Sequence, residues 1–156
     1  MRLIPFCEDH VVEILDAALD DEHHRPAPEF GAWVKALVVE DMAFTGLDDA
    51  GRVIGAGGVI PIWEGVGDAW FLGSARVTAN RIAVARAMRG VFRQIARDHG
   101  LRRIQGAMRS DWPQLGRWAR FLGMRHEGSM PRYGADGADY ERWAWTDRSR
   151  DNSKER

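Results

Sequence analysis

The spacing of apolar residues changes several times along the chain, and each change marks another predicted element. The apolar run at residues 69–72 ends at Gly73 and Ser74, which predicts a buried strand that meets a turn. From about residue 79 to residue 99 the apolar residues recur at helical spacing, and Gly100 is typical of the residue that follows a helix. Residues 102–108 alternate like a strand. This region therefore predicts a strand, a long helix and a second strand.

The rest of the chain shows the same alternation of short strands, helices and turns. Further strands are predicted at residues 3–6, 42–47, 52–62, 125–133 and 139–145, and further helices at residues 11–19, 28–38 and 111–122. Turns are predicted at residues 48–51, 63–68 and 134–137. The last helix is expected to begin with Asp111 as its N-cap and Pro113 in its first turn. This order predicts one mixed α/β domain over residues 1–146, followed by a polar tail at residues 147–156.

Glycine and tryptophan residues inside these elements carry packing predictions. Gly55, Gly57 and Gly58 interrupt a predicted strand, and no helix follows them, so they indicate a bulge or a close backbone approach rather than a phosphate loop. Tryptophans in apolar patterns are predicted to lie in the core: Trp33, Trp70, Trp112 and Trp118. Those near predicted hairpins are predicted to line a pocket or a partner surface: Trp63, Trp143 and Trp145.

Charge is distributed unevenly although the net charge is only −1. Residues 1–50 contain three cations against twelve carboxylates, whereas residues 74–132 contain thirteen arginines against three carboxylates. This asymmetry indicates either that the second region faces an anion or that the two regions complement each other within one fold. On the predicted long helix one stripe lies opposite the apolar face and consists of Arg86, Arg89, Arg93 and Arg97. Solvation of this stripe is the favoured interpretation, and binding of nucleic acid or another anionic partner is the alternative.

The cysteine count, the hydropathy and the histidine pattern argue against a disulfide-bonded, membrane-spanning or metal-binding protein. Cys7 is the only cysteine, which excludes an intramolecular disulfide and favours an intracellular setting. No apolar run approaches transmembrane length, so a soluble, cytoplasmic protein is expected. His23 and His24 lie among acidic residues, but adjacent side chains diverge and no second ligand group has metal spacing, so no metal site is predicted.

Several runs of sequence are similar to the GNAT (Gcn5-related N-acetyltransferase) superfamily. Residues 118–128, WARFLGMRHEG, resemble the Y-E-K-L-G-F-x-x-E-G run that ends the family's fourth helix and starts its sixth strand. Residues 43–47 and 51–58 resemble its second and third strands. Residues 63–70 are similar to phage- and prophage-encoded members, some of which are internal virion proteins rather than enzymes. The resemblance covers residues 1–146 and implies an α/β (α+β) fold, in which a central mixed, mostly antiparallel sheet of about seven strands is flanked by about four helices.

The resemblance also implies that the protein binds acetyl-CoA (or CoA), whose pantetheine arm enters where two strands of the sheet diverge. The pyrophosphate would bind N–H groups at the turn between the central strand and the long helix. The family signature Q/R-x-x-G-x-G/A aligns with residues 76–81, RVTANR, in which Ala79 and Arg81 replace small residues. Arg81 could instead bind phosphate with its own N–H groups. The predicted cofactor-binding residues are Phe71, Leu72, Gly73, Ser74, Arg76, Asn80 and Arg81.

Catalysis in the family needs a base for the amine proton and commonly uses a tyrosine of the fourth helix as the acid. That tyrosine aligns with Ala119, so the acid does not carry over. Carboxylates that could act as the base lie in loops or near the start of the central strand: Glu22, Glu29, Glu64 and Asp68. Glu64 is the predicted base. Ser110 is the predicted catalytic serine: it and Ser74 could orient the thioester, or both could instead cap the helices that follow them.

The sequence therefore predicts an N-acyltransferase that transfers the acetyl group of acetyl-CoA to an unidentified amine of a small molecule or a protein, with phage or prophage origin left open. The alternative is a catalytically inactive GNAT-fold phage protein that acts as a virion component or interaction module. The replaced tyrosine and the altered phosphate signature favour this alternative. A homo-oligomer fits either prediction, whereas neither nucleic acid nor a membrane is expected as a partner.

Overall fold

The computed structural model describes residues 1–17 and 30–147, apart from the side chains of residues 30–32. The strands are β1 (Arg2–Pro5), β2 (Ala43–Leu47), β3 (Val53–Trp63), β4 (Val66–Gly73), β5 (Arg103–Arg109), β6 (Arg125–Met130) and β7 (Tyr140–Thr146). The helices are α1 (Asp9–Asp16), α2 (Phe30–Leu37), α3 (Val77–Asp98) and α4 (Pro113–Phe121). The predicted tail beyond residue 147 and the segment with Glu22, His23, His24 and Glu29 lie outside the described residues. Among the described helices, none combines the length and the apolar character that crossing a membrane requires.

The seven strands belong to one mixed sheet with the order β1-β2-β3-β4-β5-β7-β6. The pairs β1–β2, β2–β3, β5–β7 and β6–β7 are antiparallel, whereas β4 and β5 are parallel. The register of the parallel pair joins residues 66–68 of β4 to residues 103–105 of β5, although β4 continues to Gly73 and β5 to Arg109. The predicted mixed, mostly antiparallel sheet with four helices is confirmed.

The chain forms two compact units. The first unit contains Met1–Ile60 and Trp70–Met88, and the second contains Pro61–Ala69 and the described residues from Arg89 onward. Three elements, β3, β4 and α3, therefore contribute residues to both units.

The apolar core of the first unit is formed by one face of α1, one face of α2 and residues of the strands. Val11 and Ile14 are the buried residues of α1, and α2 contributes Val34 and Leu37 at the same spacing of three. Such a spacing places both side chains on one face of a helix. Burying each of these side chains stabilises the fold by roughly 1.5–3 kcal/mol. In addition, the Glu13 carboxylate of α1 accepts the N–H of Val53 at 2.8 Å, which fixes the helix to the start of β3.

Glycines in β3 allow neighbouring strands to approach closely. A Cβ atom on Gly55 would lie 2.7 Å from the carbonyl oxygen of Leu72, and one on Gly58 would overlap the carbonyl oxygen of Met42. The predicted close backbone approach is therefore confirmed. The structure also shows a register shift in β2 between Gly46 and Leu47.

Two tryptophan predictions are wrong. Trp143 was expected at a pocket or partner surface, but it is only 2% exposed. Its position is opposite Gly106 of β5, and its ring packs beside Gly116 of α4, so two glycines far apart in sequence make room for it. Trp33 was expected in the core but is 42% exposed, because Val34 and Leu37 form the buried face of α2.

The turns predicted at residues 48–51 and 134–137 are confirmed, whereas the turn predicted at residues 63–68 ends earlier because β4 begins at Val66. The predicted cap of α4 is wrong. The Asp48 carboxylate accepts the N–H groups of Ala50 and Arg52, both at 2.9 Å, and Gly51 adopts a φ of 78°. Pro113 lies in the first turn of α4 as predicted, yet the N-cap is Trp112 and no side chain caps the helix. Asp111 does not serve as the cap because its carboxylate accepts two N–H groups of Arg109, at 3.0 and 2.7 Å.

Candidate functional site

The predicted cofactor residues lie in the first unit, where β4 ends and α3 begins. Phe71, Leu72 and Gly73 are the last residues of β4, and Ser74 follows them. Ser74 is 2% exposed, and both its hydroxyl and its N–H donate to the carbonyl oxygen of Ile54, at 2.7 and 3.0 Å. These two bonds hold the corner against β3 and commit the hydroxyl hydrogen to the scaffold.

Three N–H groups at the start of α3 already have acceptors within the protein. Arg76 donates to the Ser74 hydroxyl at 3.3 Å, Val77 to the Ser74 carbonyl at 3.0 Å, and Thr78 to the Ala75 carbonyl at 3.4 Å. These are the groups that an open helix N-terminus would offer to an anion. The backbone at this turn is therefore less available to phosphate than a glycine loop would be.

Two of the predicted cofactor side chains also support the scaffold. The Arg76 guanidinium donates to the Val53 carbonyl at 2.9 Å and lies 3.7 Å from the Glu13 carboxylate. The Asn80 amide donates to the Arg76 carbonyl one turn earlier, at 2.9 Å. Both side chains thus stabilise the start of α3.

An open depression of about 580 Å³ follows the first three turns of α3. Its lining is Thr78, Ala79, Asn80, Arg81, Ile82, Ala83 and Arg86. Arg81 and Arg86 are exposed, and neither guanidinium pairs with a carboxylate of the described residues. Because α3 contains no carboxylate before Asp98, the depression is basic. Its two guanidinium groups suit an anionic group such as phosphate.

The two predicted catalytic residues, Glu64 and Ser110, belong to the second unit. Glu64 is exposed in the turn between β3 and β4, where its backbone carbonyl accepts an N–H of Arg102 at 2.8 Å. Ser110 follows β5, and its hydroxyl donates to the Asp139 carbonyl at 2.7 Å. That bond fixes the loop before β7 and commits the hydroxyl hydrogen. Ser110 does not cap α4, because the N-cap of this helix is Trp112 and no side chain caps it.

Asp68 is a half-buried carboxylate in β4, two residues before Trp70. One of its oxygens lies 3.4 Å from Arg142, and Gln105, its register partner on β5, donates to it. Burial raises the pKa of Asp68 above its ordinary value, while Arg142 and Gln105 act in the opposite direction. A carboxylate whose pKa is raised is a stronger base when it is ionised, which suits proton abstraction from an amine.

Sequence patterns did not identify Arg142, the charged partner of Asp68, or the charged residues around it. Arg142 also faces Glu127, whose carboxylate accepts two N–H groups of Arg103 at 2.8 and 2.5 Å. These hydrogen bonds lower the pKa of Glu127. The available signal was the alternation of Arg103 and Gln105 in β5, which places both on one face of the strand.

The position of the family's acidic tyrosine is occupied by a buried residue. Ala119 in α4 is 0% exposed. The two tyrosines of the chain, Tyr133 and Tyr140, pack edge to face with their ring centres 5.4 Å apart, and Arg109 lies over Tyr140. No group of three or more potential metal ligands occurs in the described residues.

Neither a protein-family model nor a curated protein matches the sequence. Solved structures, however, match almost the whole chain. The GNAT-family acetyltransferase from Bacillus anthracis is 15% identical and has a TM-score of 0.72, with 94% of this chain and 95% of that chain covered. The chain has the GNAT fold. Ard1 from Thermoplasma volcanium is 15% identical with a TM-score of 0.75, over 93% of this chain and 96% of that chain. The spermidine/spermine N-acetyltransferase SpeG from Vibrio cholerae is 14% identical with a TM-score of 0.66, over 99% and 96%.

Proposed function

We propose that the protein is an acetyl-CoA-dependent N-acetyltransferase with an amine acceptor. The observation that carries this proposal is the GNAT fold, which the chain shares over more than nine-tenths of its length with an acetyltransferase and a spermidine/spermine N-acetyltransferase. A fold alone does not establish an activity, so the residues near the expected site must also fit the chemistry.

The residues of the first unit fit a phosphate-bearing cofactor through side chains rather than through the backbone. Three N–H groups at the start of α3 are already bonded, but Arg81 and Arg86 present two guanidinium groups in a depression without a carboxylate. Arg81 and Arg86 would bind phosphate, whereas Arg76, Asn80 and Ser74 would hold the turn in place. Phe71, Leu72 and Gly73 would line the end of the strand. Acetyl-CoA, when bound, supplies the acetyl group as a thioester.

Asp68 is the proposed base. The acceptor amine is protonated at neutral pH and must lose a proton before it can react. Asp68 is half-buried and has a raised pKa, whereas Glu64 is exposed in a turn. Arg142, 3.4 Å away, would keep the Asp68 carboxylate oriented between proton transfers.

Calorimetric titration with acetyl-CoA and CoA tests the proposal. The wild-type protein should bind in the micromolar range, and Arg81→Glu should weaken binding more than tenfold because a carboxylate replaces a phosphate-binding guanidinium. Arg93→Glu is the matched control, since Arg93 is another exposed arginine of α3 that lies outside the depression. It should bind as the wild type does. Absence of binding at millimolar ligand would show that the enzyme proposal is wrong.

A second candidate function is a non-catalytic GNAT-fold protein, such as a phage structural or virion component. Two observations favour this candidate. Ala119, which is buried, stands where the family's acidic tyrosine is expected, and the occupied N–H groups of α3 are not open to phosphate. Failure to bind acetyl-CoA in a folded sample would support this candidate. An amine-dependent release of CoA would exclude it.

A further inference from the structure

Arginines without acidic partners cover two helices of the second unit. They are Arg89, Arg93 and Arg97 of α3, and Arg117 and Arg120 of α4. None of them pairs with a carboxylate of the described residues. Elsewhere in the same unit, Arg103, Arg109 and Arg142 each pair with at least one carboxylate. Three arginines of the strands of this unit are therefore neutralised, whereas none of these five helix arginines is.

Arg89 of α3 contacts α4. Its guanidinium carbon lies 5.8 Å from the ring centre of Phe121 in α4. The Nε of Arg89 is buried and has no hydrogen-bond partner in the described part of the chain. Phe121 is 44% exposed although it is a large apolar residue. We call these residues, Arg89, Arg93, Arg97, Arg117, Arg120 and Phe121, the α3–α4 basic surface.

The extent of this surface fits a polyanion better than a single anionic group. From Arg89 to Arg97 the helix rises about 12 Å, since each residue adds about 1.5 Å. An ordinary solvated helix surface mixes charges of both signs, whereas the only carboxylate of α3 is Asp98 and α4 has none. A guanidinium group can donate two N–H bonds to one phosphate, and an exposed aromatic ring beside it can stack on a base or sugar.

We infer that the α3–α4 basic surface binds the phosphodiester backbone of a nucleic acid without reading its sequence. The arginines supply the phosphate contacts, and Phe121 supplies a stacking ring that neither an acidic peptide nor a lipid headgroup would need. This inference is independent of the proposed acetyltransferase activity, because the depression at the start of α3 uses Arg81 and Arg86 instead.

Fluorescence anisotropy with a labelled single-stranded DNA of about 20 nucleotides, and with the matching duplex, provides the test. Binding should weaken steeply between about 50 and 200 mM salt, because each phosphate contact releases counterions. The two probes distinguish the sources of phosphate: a preference for the single strand that Phe121→Ala removes would assign the site to unpaired strands, and equal binding would assign it to the backbone of either form.

Paired charge variants localise the binding. Arg93→Gln with Arg117→Gln should lower the affinity at least tenfold and reduce the log–log salt slope by roughly 1.4 to 1.8. Arg2→Gln with Arg52→Gln removes the same charge from exposed arginines of the first unit and should leave the affinity within about twofold. The inference would be overturned if the protein did not bind the probe at low salt, or if the control pair lost as much affinity. Displacement of the probe by CoA, polyglutamate or anionic vesicles at matched charge would also overturn it.

Discussion

The two units use their polar side chains in different ways. In the first unit, Glu13, Ser74 and Arg76 bond to backbone groups of Val53 and Ile54. In the second unit, charged side chains bond mainly to one another, as Arg103 does with Glu127. Bonds to the backbone fix the path of the chain. Charge pairs respond to pH and to neighbouring charges, so the second unit is where a proton-transfer residue can be tuned.

The largest expected effect tests the dependence of the first unit on close backbone contact. Gly58→Ala should lower the free energy of unfolding by about 3 kcal/mol, because a Cβ there would overlap the Met42 carbonyl. Gly90→Ala is the matched control in the second unit, since nothing lies within 4 Å of that position and alanine favours a helix. It should raise the free energy of unfolding by up to about 1 kcal/mol. Urea denaturation measures both free energies of unfolding. Equal changes in the two variants would contradict the argument that close backbone contact at Gly58 excludes a side chain.

The next effect concerns the half-buried carboxylate of β4. Burial raises the pKa of Asp68, so ionised Asp68 destabilises the folded state relative to the protonated form. Protonated Asp68 contributes stability below its ordinary pKa, and this contribution is lost as the pH rises through the raised pKa. Asp68→Asn should therefore gain stability relative to the wild type as pH rises from acidic to neutral. Urea denaturation over this pH range measures the difference, and a difference that does not change with pH would contradict the burial argument.

The same variant tests the proposed base through kinetics. With an amine acceptor found by screening, Asp68→Asn should lower the transfer rate at neutral pH more than tenfold, because the amide cannot take a proton. It should also remove the acidic limb of the pH–rate profile. Glu64→Gln, a change to an exposed carboxylate on the same hairpin, should retain the wild-type rate. The opposite result would assign the base to Glu64.

The smallest effect belongs to the ion pair across the strands. The side chains of Arg103 and Glu127 are 26% and 38% exposed, so Glu127→Gln should cost only about 0.2–1 kcal/mol at neutral pH. Because Arg103 lowers the pKa of Glu127, the contribution is present above the ordinary value of 4.5 and is lost as pH falls through the lowered value. Thermal denaturation of both proteins should therefore show a difference at neutral pH that disappears in acid. A cost that persists in acid would mean that packing, rather than charge, is lost.

Local sequence patterns predicted the elements because neighbouring residues determine them. Gly51 and Gly137 both adopt a φ of 78° in the turns predicted at residues 48–51 and 134–137. The exception is the start of β4, which was placed in a turn at residues 63–68. Glu64 and Gly65 form the turn, in which Gly65 has a φ of 73°. Gly67 lies buried in the strand, because β4 begins at Val66. Sequence alone does not show which of two nearby glycines turns the chain.

The candidate site was harder to predict because its side chains are directed by distant residues. Arg76 bonds to Val53, 23 positions earlier, and Ser110 bonds to Asp139, 29 positions later. Asp68 was named as one of several carboxylates, but its partner Arg142 is 74 positions away. A motif can identify which residue types are present, yet the pairing of strands decides which of them meet.

The irregular register of β6 has a consequence for association between molecules. The register passes from His126 to Gly128, so Glu127 has no partner opposite it on β7, and its side chain extends to Arg103. Strands at the edge of a sheet can recruit strands from other chains, and a bulge with a charged residue interrupts the flat edge that this requires. At the opposite edge, β1 ends in Pro5, which lacks an N–H donor. Both edges therefore carry features that oppose edge-to-edge pairing with strands of other chains.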